Sequence, residues 1–203
     1  QSFISLDLLR ELQWRKESME RKEYSAGMNM QQFWFQEFRK VLQLINEGKT
    51  IPEIKKKNLE ENLFSAPTQV RAIRICNAVI ARIRSLNPSF YPLFERSDIT
   101  NQKLIALIAV MQNDSLFFDF MYEVFREKLI IGLNELSDSD YSIFFRDKQL
   151  QSEKVAAWTD GSLNNLRKAY RLILMEAGVT DKAKDVRKIL KPIMDKALED
   201  LLQ

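Results

Sequence analysis

The chain has no histidine and one cysteine, Cys76, in 203 residues. Without histidine, no Ser-His-Asp or Cys-His catalytic arrangement can be assembled, and no Cys/His zinc site is available. One cysteine cannot form an intramolecular disulfide, which fits a reducing cytoplasm. Glycine is scarce, with five residues, and no two of them lie within ten positions of each other. Loops that cradle nucleotide phosphates use clustered glycines, so G-x-G-x-x-G and the P-loop are both excluded. Long hydrophobic runs are missing too. The longest uninterrupted one, Leu104 to Met111, has eight residues, against the ~18 or more of a membrane-spanning helix. Gln1-Ser2-Phe3-Ile4-Ser5 is not a basic stretch leading into an apolar one, so no signal peptide is expected and a cytoplasmic location is.

What is present is a chain with 45% apolar and 29% charged residues and a net charge of only +3. That profile belongs to a folded globular protein that needs no disulfide or metal. Apolar spacing is helical almost throughout, and no strand hairpin is predicted. Trp34, Phe38, Val41, Leu42 and Ile45 form one stripe that Gly48 stops. Thr50 caps the next helix, with Pro52 in its first turn and Glu53 at the position of a capping box. Ser65 is the candidate cap of a longer helix reaching about Arg84. Asn87-Pro88 and Tyr91-Pro92 then break the chain. Beyond Thr100 come the most apolar stripes, including Leu104, Leu107 and Ile108, then Phe117, Phe120 and Met121, which mark the main core. Ser137 or Ser139 caps a helix with Ile143 and Phe144 inward, and a clear helix from Ser162 ends at Gly178. A last helix is predicted from Thr180 or Asp181, kinked at Pro192. The predicted fold is all-α, with a charged N-terminal helix (1–23), a helix-turn-helix-like lobe (24–95) and a C-terminal lobe (96–203).

Charge is distributed unevenly. From Lys49 to Arg84 there are eight basic and three acidic residues, a segment charge of +5, so the remainder of the chain sums to −2. The basic residues include Lys49, Lys55, Lys56 and Lys57, then Arg71, Arg74 and Arg82. At about 100° per residue, Arg74 and Arg82 fall about 60° and about 20° to either side of Arg71. Ile73, Cys76, Ile80 and Ile83 lie across the wheel from them. An arginine row opposite an apolar face suits phosphate forks and guanine edges; a solvated helix back carries the same pattern. A second cluster, Lys184, Arg187, Lys188 and Lys191, shares one face if that segment is helical. Two basic helices in one small protein strengthen the reading of a phosphate-backbone footprint.

Carboxylates give no comparable signal. Asp138-Ser139-Asp140 reads as helix-start chemistry rather than a magnesium site, and Glu123, Arg126, Glu127 and Lys128 as surface pairing. Cys76 sits on an apolar stripe as an inert core thiol. No metal, cofactor or catalytic residue is expected. The first segment carries Ile4, Leu8 and Leu12 at helical spacing, with Trp14 among charges. It reads either as a solvated helix or as an arm that docks on a partner.

Ordered strings then resemble a known family. Tyr24-Ser25-Ala26-Gly27, Phe33-Trp34-Phe35 and Glu61-Asn62-Leu63-Phe64 are similar to the BrxA family of the bacteriophage exclusion (BREX) defence system. So are Phe120-Met121-Tyr122-Glu123-Val124-Phe125, Leu136-Ser137-Asp138-Ser139-Asp140, Val155-Ala156-Ala157-Trp158 and Glu176-Ala177-Gly178. The resemblance runs from Tyr24 to Gly178 and leaves the C-terminal basic cluster outside it. It implies a small all-helical protein likened to the antitermination factor NusB, with no enzymatic activity, binding nucleic acid beside other defence proteins. Together with the charge pattern it points to a nucleic-acid binder, duplex DNA favoured. An RNA-binding factor and a protein–protein adaptor working through the first helix are the rivals.

Overall fold

The computed structural model describes residues 22–202. The charged helix predicted at the N-terminus, with its docking-arm reading, lies outside the described residues except for Lys22 and Glu23. A 3-10 turn, Gly27–Met30, leads into α1 (Phe35–Asn46), which buries Phe35, Phe38, Val41 and Leu42. α2 (Ile51–Glu61) starts as its sequence predicts. Thr50 Oγ1 accepts from the Glu53 backbone N–H while the Glu53 carboxylate accepts from the Thr50 N–H at 2.7 Å. α3 (Gln69–Ser85) is capped by Thr68 rather than by Ser65, which sits in the left-handed region at φ 49°. The linker is closed by Asn62, whose amide donates to the Ala66 carbonyl and whose oxygen accepts from the Ala66 N–H. The Pro88 break holds. Pro92, however, sits in the first turn of a short helix, α4 (Phe90–Arg96), where a missing N–H costs nothing.

α5 (Ile99–Asn113) is buried on nearly every side, from Asn101 to Gln112, as expected of a helix apolar all round. α6 (Ser115–Ile130) leaves it at 112° and is π-helical from Met121 to Arg126. The turn between them is capped by Asp114, whose carboxylate accepts from the Phe117 N–H at 2.8 Å. β1 (Glu135–Ser137) precedes α7 (Asp138–Gln151), α8 (Glu153–Ala156) and α9 (Asp160–Glu176). β2 (Val186–Lys188) pairs antiparallel with β1, Leu136 opposite Arg187, and α10 (Lys196–Leu202) ends the described chain. Gly48, Gly132 and Gly178 all adopt positive φ just past helix ends, where glycine escapes the Cβ clash.

The helical class stands beside one small two-stranded ribbon, which is not a hairpin; its three-residue strands are too short to show a period of two and lie far apart in sequence. Two expectations change here. The last helix begins at Lys196, not near Thr180, since 181–195 is spent on β2 and the turns around it. Ile143 points outward, 59% exposed, while its neighbours Phe144 and Phe145 are buried.

Buried apolar side chains make one cluster from Met28 to Leu202. α3 packs on α1, α2 and α5, so the basic segment is tied to the core helix directly. On the other side of α5, rings interlock: Phe117 meets Tyr170 edge-on and Phe120 stacks on Tyr141, both at 4.8 Å. Beside them lies a buried ionic cluster. Lys148 Nζ contacts Asp119 at 3.1 Å and Glu123 at 2.8 Å, and Tyr24 Oη donates to Asp119 at 2.5 Å. Glu123, expected in surface pairing along its own helix, meets Lys148 of α7 with its side chain 32% exposed. No single helix among the described residues is long and apolar enough to cross a membrane.

Candidate nucleic-acid interface

α2 and α3 form a unit because both bury one face against the same neighbours. Ile54 and Asn58 point inward from α2, and the Asn58 amide donates to the Ala72 carbonyl of α3 at 3.1 Å. Lys40 of α1 donates to the Leu63 carbonyl at 2.7 Å and holds the linker between them. The inward face of α3 is Ala72, Ile75, Cys76, Val79, Ile80, Arg82 and Ile83. Its outward face presents Arg71, Arg74 and Arg84 with Asn77 and Ala81, and Val70 and Ile73 are also exposed. No acid occurs anywhere from Gln69 to Ser85.

Arg82 is therefore not part of the exposed row. It is 1% exposed. One terminal nitrogen donates to the carbonyls of Gln32 and Phe33 at 2.9 and 2.8 Å, and the other to Gln31 Oε1 at 3.0 Å. Its guanidinium also lies 5.5 Å from the Trp34 ring centroid. Burial pulls its pKa down from 12.5 to about 10, and it remains a cation at neutral pH. The wheel erred because its apolar face was centred on Ile73 and Ile80. Counting Ala72, Ile75 and Val79 moves the centre of burial towards Arg82 and turns Arg84 outward. Arg84, missed from the sequence, was recoverable from that fuller count. Its charge reaches the Tyr91 hydroxyl at the far end of the helix. Arg74 and Arg84 are ten residues apart on one helix, about 15 Å at 1.5 Å per residue.

The lysines differ in their surroundings. Lys49 lies in the exposed link before α2, near Glu53. Lys55 is exposed and close enough to α3 for its charge to act on Cys76, whose thiol burial pushes upward in pKa. Lys56 pairs with Glu60 at 3.9 Å and Lys57 with Glu61 at 3.2 Å, both exposed contacts along α2. Pairs of that kind are worth ~0–1 kcal/mol and open readily to a competing anion.

The second basic cluster does not share a helical face, because no helix exists there. Arg187 is half-buried, donating to the carbonyls of Ala183 and Arg171. Arg171 in turn pairs with Asp138 and donates to the Lys184 carbonyl. Both arginines tie the β2 segment to α9. Lys184, Lys188 and Lys191 project from strand and loop as separate exposed charges. Among the described residues, no three acids or cysteines are grouped as metal ligands.

The BrxA family model matches residues 22–203. The chain belongs to the BrxA family. A BREX protein BrxA of Bacillus cereus (strain H3081.97) is 38% identical over 172 residues, covering 85% of this chain and 86% of that protein. An uncharacterized protein from Magnetospirillum magneticum superposes with a TM-score of 0.74 at 17% identity, over 89% of this chain and 92% of that one. At that identity it shows a shared fold. The family match includes the α2–α3 unit, the ionic cluster at Lys148 and the β1–β2 ribbon, and it covers the C-terminal segment that the string resemblance left out.

Proposed function

We propose that this BrxA-family chain is a non-enzymatic nucleic-acid-binding component of a BREX-type phage-defence system, with duplex DNA as its ligand. The α2–α3 unit is its interface. Membership of the family supports the defence role, and the named relative is itself a BREX protein. One observation carries the binding reading: α3 has no acid, and its solvent face carries Arg71, Arg74 and Arg84. A helix with that surface meets no charge repulsion on entering a major groove ~12 Å wide. Lys49 and Lys55 flank it where the phosphate backbone would run. Arginine is suited both to bidentate phosphate contacts and to guanine edges.

The test is a titration against duplex DNA, single-stranded DNA and RNA of equal length over a range of salt. The wild type is expected to favour the duplex. Arg71→Ala, Arg74→Ala and Arg84→Ala combined should keep the fold, since exposed substitutions cost within ~0.5 kcal/mol. The slope of log K against log salt should shrink by about 2 to 3 units if each arginine meets a phosphate. Unchanged affinity in a folded triple variant would refute the interface. Tighter binding to RNA would replace duplex DNA by RNA, and no binding to any of the three would favour an adaptor.

A further inference from the structure

The C-terminal half holds a second helix pair, distinct from the α2–α3 unit. Its helices share one aromatic core. Phe120 of α6 packs on Tyr141 of α7 at 4.8 Å and on Tyr170 of α9 at 5.4 Å, and Phe145 of α7 meets Tyr170 at 5.5 Å. α7 and the short α8 lead through the turn 157–159 into α9, where the Thr159 hydroxyl accepts from the Ser162 N–H at 3.2 Å. After α9 the chain forms a β-loop. Thr180 bridges Ile189, and the Asp181 N–H donates to the Lys188 carbonyl at 3.0 Å, so 182–185 is a short loop closed at its base. The opposite edge of β2 pairs with β1. Strand, helix, turn, helix and β-loop follow one another in the order of a winged helix. In helix pairs of this kind the second helix enters the major groove.

Two arginines lock the loop to α9. Arg187 donates to the Arg171 carbonyl at 2.7 Å, and Arg171 donates to the Lys184 carbonyl. The lysines of the loop are thereby held beside the helix. Residues 161–175 include Arg167, Lys168 and Arg171 and no acid. The solvent side at the start of α9 is Gly161, Asn164, Asn165 and Lys168. An asparagine amide matches the donor and acceptor that adenine presents in the major groove. The loop adds exposed Lys182, Lys184 and Lys188. The Asp181 carboxylate is turned to the loop's own backbone, accepting from the Ala183 and Lys188 N–H groups. Asp160 and Asp185 are the exposed acids of α9's first turn and the loop, against those four exposed lysines.

We propose that this unit is a second duplex-binding face. α9 lies in the major groove with Asn164, Asn165 and Lys168 at the base edges, and Lys182, Lys184 and Lys188 meet the phosphates alongside. The face shares its ligand with the α2–α3 reading and none of its residues. It makes Lys184 and Lys188 nucleic-acid contacts on a loop rather than on a helix.

Fluorescence anisotropy of the full chain on duplex DNA, over a range of salt, tests it. Lys182→Ala, Lys184→Ala and Lys188→Ala combined should keep the fold, since all three positions are exposed. The slope of log K against log salt should shrink by about 2 to 3 units. Asn165→Asp with Lys168→Glu puts negative charge on the groove side of α9 and should weaken binding at least about tenfold. The Arg71/Arg74/Arg84 variant should keep part of its affinity, and adding the loop substitutions should remove more than either set alone. In the wild type, duplex DNA should protect Lys168, Lys182, Lys184 and Lys188 from acetylation, a readout that needs no variant to fold. Unchanged affinity in both folded variants of this face overturns the proposal and leaves the α2–α3 reading standing. So does a duplex that protects none of the four lysines. Unchanged affinity in the α3 variant with loss in the loop variant refutes the α2–α3 face and upholds this one.

Discussion

Replacing Arg82 separates a folding role from a binding role more sharply than any other single change. The side chain is 1% exposed and its guanidinium donates to three acceptors on Gln31, Gln32 and Phe33. Those residues form the strand-like entry to α1, and Trp34, which follows, is held in the left-handed region at φ 51°. Arg82→Ala leaves two backbone carbonyls without their donor, at ~1–3 kcal/mol each, and opens a cavity beside Trp34. Removing a cation whose pKa burial has lowered from 12.5 to about 10 returns part of that loss. The expected net destabilisation is about 3 kcal/mol. For a chain of this size that corresponds to a fall in Tm of about 6–12 °C. Arg82→Lys should recover less than half, because a single ammonium cannot fork to three acceptors. Arg74→Ala, one of the exposed row, should leave Tm nearly unchanged. Differential scanning calorimetry of the three variants with a parallel duplex titration decides the matter. If Arg82→Ala melts like the wild type but binds duplex DNA weakly, the guanidinium faces solvent and the reasoning is wrong.

Lys148→Met should destabilise by about 3–5 kcal/mol, since it removes the ammonium that meets the buried Asp119 carboxylate, which keeps the Tyr24 hydroxyl. Adding Asp119→Asn should recover part of that in denaturant melts. Burial pushes the Asp114 carboxyl up from 3.8 to about 6. The folded state therefore binds a proton that the unfolded state takes up only at lower pH, and stability from this group rises as pH falls through about 6, gaining about 1 kcal/mol by pH ~5. Asp114→Asn keeps an N-cap acceptor for Phe117 and should flatten that part of the pH–stability profile. Ser137→Ala should cost about 1 kcal/mol. It removes the hydroxyl half of the box in which Ser137 N–H donates to Asp140 at 2.7 Å, and thermal melts would detect it.

The sequence by itself determined the helical class, the cap at Thr50, the glycine stops, and the place of Cys76 on an apolar face. These follow from spacing and local chemistry within a few residues, which the chain carries wherever it is folded. It also located the segment richest in positive charge and the family. The tertiary structure decided which of those charges face outward. Arg82 and Arg84 differ by two positions, and only the packing of α3 against α1, α2 and α5 makes one a core strut and the other a surface cation. The same holds for Lys148 and Glu123, whose meeting joins α6 to α7 across distant sequence. The C-terminal cluster failed as a helix because Arg187 is paired opposite Leu136 in a strand some fifty residues away. A long-range partner of that kind leaves no periodicity in either segment.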